Sequence, residues 1–207
     1  PFAVSGNKGA EGLFTGYYQP ILKGSLEKKA PYLTPLYVRP SDLVTADLGD
    51  FYPELKGKKI TARVVDGETL KPYYKRNEIE AGALDPKVTP IVWVDSAVDA
   101  FFLHIQGSGL VELEDGKKLQ VGYAAANGQA YHAIGKTLVE RGHLTKDNVS
   151  MQSIRSWLAA NPDQAASVMN LNESYIFFRV LEDETGPVGA QGVPVTPHRS
   201  LAVDKNL

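Results

Sequence analysis

Val111-Glu112-Leu113-Glu114-Asp115-Gly116-Lys117-Lys118-Leu119-Gln120-Val121-Gly122-Tyr123 sets two short apolar runs on either side of an Asp-Gly pair. Asp-Gly accepts the positive φ angles of the tight turns that join antiparallel strands, so this stretch reads as a β-hairpin. The same kind of cluster, apolar with β-branched or aromatic residues and bounded by turn formers, recurs at residues 13–18, 33–38, 60–65, 91–94, 175–180 and 201–203. Each is a strand candidate. Thirteen prolines and nineteen glycines are spread along the 207 residues and cut the chain into short segments. The fold class expected is therefore mainly β with a few helices, without βαβ alternation.

Helices are expected in one region. Asp95 or Ser96 can cap a helix over 97–103, a second runs over 131–141 and stops at Gly142, and Ser150 can cap a third over 151–160. That third helix places Met151, Ile154, Trp157 and Leu158 on one face. Asn161-Pro162 supplies a cap and a first-turn proline for 163–169, so the last two helices form a hairpin.

Composition bounds the function. Hydrophobic residues at 43%, charged residues at 22% and a mean hydropathy of -0.21 describe a chain able to bury a core. Twenty-two lysines and arginines against 24 acids give a net charge of -2, without the positive field of a duplex-binding domain, so nucleic acid is not an expected partner. No apolar run reaches the roughly 20 residues that span a bilayer. The absence of cysteine removes thiol nucleophiles, disulfides and cysteine zinc sites together. His104, His132, His143 and His198 do not fall into a ligand spacing, and neither a metal nor a cofactor is expected. The chain opens at Pro1-Phe2 and closes directly after Leu201-Ala202-Val203, which reads as an internal segment of a longer protein; a signal peptide or lipid anchor upstream would lie outside it.

Two features carry candidate chemistry. Gly107-Ser108-Gly109 can be a turn with a glycine at positive φ, a loop lining a ligand, or, least in keeping with the Gly-x-Ser-x-Gly pattern, a nucleophile. Aromatic and polar residues cluster at 16–20, 73–76 and 123–131, where tyrosine rings and the amides of Gln and Asn offer the apolar face and hydrogen-bonding rim that a sugar ring matches. The same tyrosines could equally be strand packing. A hydrolase using Asp85, Asp95 or Glu78 would need two carboxylates about 5 to 9.5 Å apart, whereas Asp95 fits a helix cap and Asp85, before Pro86, a turn.

Six blocks in order, Gly16-Tyr17-Tyr18-Gln19-Pro20, Tyr74-Lys75-Arg76-Asn77-Glu78-Ile79, Phe101-Phe102-Leu103-His104-Ile105-Gln106-Gly107-Ser108-Gly109, Val121-Gly122-Tyr123-Ala124, Asn172-Glu173-Ser174-Tyr175-Ile176-Phe177-Phe178 and Leu201-Ala202-Val203-Asp204, resemble the membrane-bound lytic murein transglycosylase A family from about Glu11 onward. The resemblance implies a double-psi β-barrel, incomplete here, formed by residues 1–20 and 172–207, with a second β-rich domain inserted as residues 21–171. It implies cleavage of the β-1,4 bond between N-acetylmuramic acid and N-acetylglucosamine in peptidoglycan with a 1,6-anhydro product, at the periplasmic face of the bacterial outer membrane. The groove expected on that template gathers Tyr18, Gln19, Gln106, Gly107, Ser108, Gly109, Tyr123 and Asn127 around glycan strands. The family's catalytic aspartate belongs to an Ala-Gln-Asp-Thr-Gly-type segment expected beyond Leu207, and Asp204 is expected to play a supporting part. A peptidoglycan-binding segment without turnover, or an unrelated β-rich glycoside hydrolase, are the alternatives.

Overall fold

A computed structural model describes residues 19–181 and residue 196. Nine strands form two sheets, β1 (Ile21–Ser25), β2 (Thr34–Tyr37), β3 (Leu43–Asp47), β4 (Lys59–Val65), β5 (Thr69–Pro72), β6 (Pro90–Val94), β7 (Ser108–Leu113), β8 (Lys118–Ala126) and β9 (Ile176–Val180). Five helices accompany them, α1 (Arg76–Glu80), α2 (Ala97–Gln106), α3 (Ile134–Glu140), α4 (Met151–Ala160) and α5 (Pro162–Met169). The larger sheet runs β2-β6-β1-β7-β8-β9 and the smaller β3-β4-β5. All neighbours pair antiparallel except β1 and β7, which run parallel. Among the described residues no barrel closes: β2 and β9 are the edges of the larger sheet, and one isolated bridge, Val38 to Phe178, joins their ends.

The Asp-Gly stretch forms the expected hairpin, β7 to β8, with Gly116 at φ 82° and its N–H donating to the Leu113 carbonyl. The strand candidates at 13–18 and 201–203 lie outside the described residues. The last two helices form where expected: Ser150 Oγ accepts from the Ser153 N–H, and Pro162 opens α5. Two helix limits differ from the expectation. The second helix begins at Ile134 because the preceding turn is held elsewhere: His132 donates its N–H to Asn172 Oδ1 and its ring bonds Thr137. The first continues through Gln106 because its stop is Gly107, at φ 78°, whose N–H donates to the Leu103 carbonyl. Its cap is Ser96, accepting from the Asp99 N–H, rather than Asp95.

Three apolar clusters make the interior. Leu22, Leu36, Val92, Val94, Val111 and Val121 from the large sheet meet Leu103 of α2. Tyr37, Leu43, Tyr73 and Ile79 form a second cluster, and α3, α4 and α5 close on Phe101 and Phe102 to form a third. Successive strand residues face opposite sides of a sheet, so on β9 Phe178 enters the first cluster and Phe177 the second, both essentially solvent-free. α2 does the same between the first and third. These two elements therefore tie the three cores together, and both lie next to the polar features described below.

Candidate functional site

The parallel pairing of β1 with β7 aligns Ile21 with Leu110, and the Leu110 N–H donates to the Pro20 carbonyl at 2.9 Å. On the other side of β7, Ser108 pairs with Gly122 of β8. Because neighbouring strands lie under about 5 Å apart, the pairings bring Gln19-Pro20, Gln106-Gly107-Ser108-Gly109 and Gly122-Tyr123 to one end of the sheet. Gly109 is required by this approach: a Cβ there would sit 2.9 Å from the Pro20 carbonyl oxygen and 2.6 Å from Leu103 Cδ1. Gly109→Ala is expected to lower the urea unfolding midpoint by the equivalent of about 1 to 3 kcal/mol, the usual penalty for forcing extra bulk into a packed site; an unchanged midpoint would show that the strands part freely.

The resulting surface has glycan-compatible chemistry. Gln19, Gln106 and Ser108 are half-buried, and Tyr123 keeps 54% of its surface exposed. The last carbonyls of α2 end here as acceptors, the glutamine amides supply donors and acceptors, and the Tyr123 ring supplies an apolar face. Gly107 takes the turn conformation that was one of the readings of Gly107-Ser108-Gly109.

Asn127 does not share that surface. It has no exposed area, its Nδ2 donates to the carbonyls of Tyr74 at 2.8 Å and Glu173 at 2.9 Å, and its Oδ1 accepts from the N–H groups of Tyr175 and Gln129. Three of these four bonds join the 73–76 segment to the 172–175 segment, and the fourth holds its own turn at Gln129. Arg76, 1% exposed, works beside it: Nε donates to the Asn172 carbonyl at 2.9 Å, an Nη to that of Ser174 at 2.6 Å, and the other Nη pairs with Glu80 at 3.4 Å. Its guanidinium lies over the rings of Phe101 and Tyr175. Tyr18 and Asp204 lie outside the described residues.

A separate cavity of about 250 Å³ opens beside α1 and α2, with Tyr37, Arg76, Glu80, Asp85, Trp93 and His104 in its wall. His104 is buried, and its Nδ1 accepts from the Ile176 N–H, which leaves the proton on Nε2. Burial, reinforced by the Arg76 charge, holds its protonation well below the usual histidine range. Burial likewise pushes the Glu80 carboxyl up, against the opposing pull of Arg76. Tyr37 donates to Asp85 Oδ1 at 2.9 Å, and burial first, then this bond, raises its phenol. Of these residues the sequence pointed to Arg76 at the end of an aromatic-polar run, to Asp85 as a turn residue or an alternative hydrolase carboxylate, and to His104 within a family block but outside any ligand spacing; nothing in it marked Tyr37, Glu80 or Trp93 as functional.

The profile described as the MltA specific insert domain matches residues 13–179. The chain belongs to the MltA family. Membrane-bound lytic murein transglycosylase A of Escherichia coli strain K12 is 30% identical over 197 residues, 94% of this chain and 46% of the relative. This MltA-family chain thus spans about half the length of the curated relatives it matches. The crystal structure of a membrane-bound lytic murein transglycosylase from Agrobacterium tumefaciens superposes with a TM-score of 0.78 at 35% identity, covering 88% of this chain and 50% of that one. E. coli MltA with bound chitohexaose superposes with a TM-score of 0.68 at 29% identity, over 88% and 46%.

Proposed function

We propose that this MltA-family chain is the insert-bearing part of a lytic transglycosylase that cleaves the β-1,4 bond between N-acetylmuramic acid and N-acetylglucosamine in peptidoglycan and leaves a 1,6-anhydro sugar. The observation that supports this reading is the meeting of Gln19, Gln106 to Gly109 and Tyr123 at one end of the large sheet, in a chain similar to a structure that holds chitohexaose. On this reading those residues, with Tyr18, line a groove for the glycan strand, and Asn127 fixes its wall from behind. Residues 1–20 and 172–207 belong to a double-psi barrel, 21–171 to the insert, and Asp204 supports the barrel side. The relatives' names, which call them membrane-bound, favour the cell envelope, and on this reading the protein faces the periplasm from the outer membrane, held through a lipid anchor upstream.

The chemistry asks for one acid. A carboxylic acid protonates the glycosidic oxygen, and the carboxylate it becomes receives the proton of the muramic C6 hydroxyl as that oxygen attacks C1. The attacking hydroxyl is part of the substrate, so its effective molarity replaces the second carboxylate of ordinary glycosidases. We assign the acid to an aspartate of the longer protein beyond Leu207, and to the sheet end described here the binding and orientation of the sugars.

In the full-length protein, Gln106→Ala is expected to raise the dissociation constant for chitohexaose about ten-fold, the loss of one or two hydrogen bonds to a bound sugar. The urea midpoint should hardly move, since the side chain is half-buried at the helix end. Calorimetric titration beside denaturation checks both, and unchanged binding, or a parallel loss of stability, would count against a groove at this place.

A further inference from the structure

The cavity beside α1 and α2 shares no lining residue with the sheet end assigned to the glycan, and its charges follow a pattern. Inside, Arg76 and Glu80 neutralise one another. At the wall, Lys28 lies 4.9 Å over the Trp93 ring, and neither Lys28 nor Asp85 enters an ion pair among the described residues. Asp85 spends one carboxylate oxygen on the Tyr37 hydroxyl and keeps the other. The cavity lining therefore includes one ammonium and one carboxylate without an ion-pair partner among the described residues, beside the Trp93 and Tyr37 rings. Two further residues with polar groups line the same enclosure: Tyr175, 3% exposed, with its hydroxyl, and His104, 6% exposed, whose Nδ1 is taken by the Ile176 N–H so that Nε2 carries the proton. Both can donate, so they suit an occupant that supplies acceptors.

We propose that this cavity is a second binding site, for an amino-acid head group bearing an ammonium and a carboxylate on one carbon. The ammonium is held by Asp85 and the carboxylate by Lys28, with the Tyr175 hydroxyl and the His104 Nε2–H as neutral donors from within. A simple anion would leave Asp85 repelling it, and a simple amine would leave Lys28 doing the same; a neutral sugar would leave both charges unused. The volume of about 250 Å³ suits one such head group rather than a chain of sugar rings. Resting on the proposed function, the source of the head group is the peptide stem that murein carries on its muramic acids, so that the insert senses the stem while the sheet end holds the glycan.

The test is calorimetric titration of the full-length protein with the free murein tripeptide L-alanyl-γ-D-glutamyl-meso-diaminopimelate, whose last residue ends in such a group. Saturable binding is expected, weakened ten-fold or more by Asp85→Asn and by Lys28→Met, as befits loss of a charge-assisted bond. Both residues are on the surface, and the amide oxygen introduced by Asp85→Asn still accepts from the Tyr37 hydroxyl, so folding should persist; thermal denaturation of each variant verifies that. Tripeptides blocked by N-acetylation or amidation of the terminal head group should bind as weakly as the variants do. The proposal is overturned by absence of tripeptide binding at millimolar concentration, or by binding that both variants leave unchanged. Chitohexaose titrated into the same samples separates the two readings: glycan binding without tripeptide binding defeats the cavity assignment alone, and tripeptide binding without glycan binding defeats the glycan groove while leaving the cavity standing.

Discussion

Purified murein sacculi incubated with the 207-residue chain alone are expected to release no 1,6-anhydro muropeptides above a buffer blank, whereas the full-length protein should release them steadily. A general acid by itself contributes about 10²- to 10⁴-fold, and in this reaction the same group also receives the nucleophile's proton, so its absence removes both halves of the proton traffic. Among the described residues, three carboxylates near the candidate features already have partners. Glu78 accepts from the Lys75 N–H in a helix cap, Asp99 is paired with Arg155, and Asp85 is bonded to Tyr37. Glu80 is the internal acid to watch, because burial raises its protonation range as a general acid requires. It sits against Arg76 in the wall of the cavity beside α1 and α2, whose lining includes neither Gln106 nor Tyr123. Mass spectrometry of the soluble products decides. If the 207 residues alone gave anhydro products at the rate of the full-length protein, and Glu80→Gln abolished them, an internal carboxylate would carry the reaction and the assignment of the acid beyond Leu207 would fall.

Those committed carboxylates show how far the sequence can be read. The α2 to β7 junction is legible because local punctuation specifies it: Ser96 caps, Gly107 stops, and Gly109 admits the neighbouring strand. The β7 to β8 hairpin is legible for the same reason. β1, β3 and β5 do not announce themselves. β5 is Thr69-Leu70-Lys71-Pro72 and exposed throughout, so it carries no apolar pattern and exists through its pairing with β4. α1 has five residues, of which Arg76 and Ile79 are buried, too few for a helical period to register.

The candidate site divides along the same line. Gln106 to Gly109 are contiguous and stand in one family block, while Gln19 and Tyr123 reach them through strand pairing. The expectation of Asn127 on the groove rests on amides suiting sugars, yet three of its four partners lie 46 to 53 residues away along the chain and hold it wholly inside. The cavity draws its wall from residues as distant as Lys28 and Tyr175. Nothing in spacing along a chain records such an assembly, because it follows from how α1, α2 and β9 pack.

Arg76→Met is expected to cost about 3 to 5 kcal/mol of folding stability, the largest effect of any single replacement at the hub that joins these elements. Folded domains are stable by only about 5 to 15 kcal/mol, so the variant should sit close to unfolding at room temperature. The reason lies in what the arginine satisfies. Removing it leaves the carbonyls of Asn172 and Ser174 without their side-chain donors, at about 1 to 3 kcal/mol for each one left unsatisfied. It also strips Glu80 of its ion-pair partner and takes away the cation that lies over the Phe101 and Tyr175 rings. Methionine fills similar volume, so the loss is one of hydrogen bonds and charge rather than of a hole. Arg76→Lys should recover part of it, since a single ammonium cannot reach two carbonyls and a carboxylate with the geometry of the planar fork. Lys75 provides the contrast. Its ion pair with Glu173, at 2.7 Å, has both side chains nearly half exposed, and Lys75→Ala should cost less than about 1 kcal/mol. Urea titrations read by the midpoint at constant slope measure all three variants. Were Arg76→Met to match Lys75→Ala, the segment from Asn172 to Ser174 would be held by Asn127 and its own backbone alone, and the buried guanidinium would have to be explained by the cavity it borders rather than by the fold it joins.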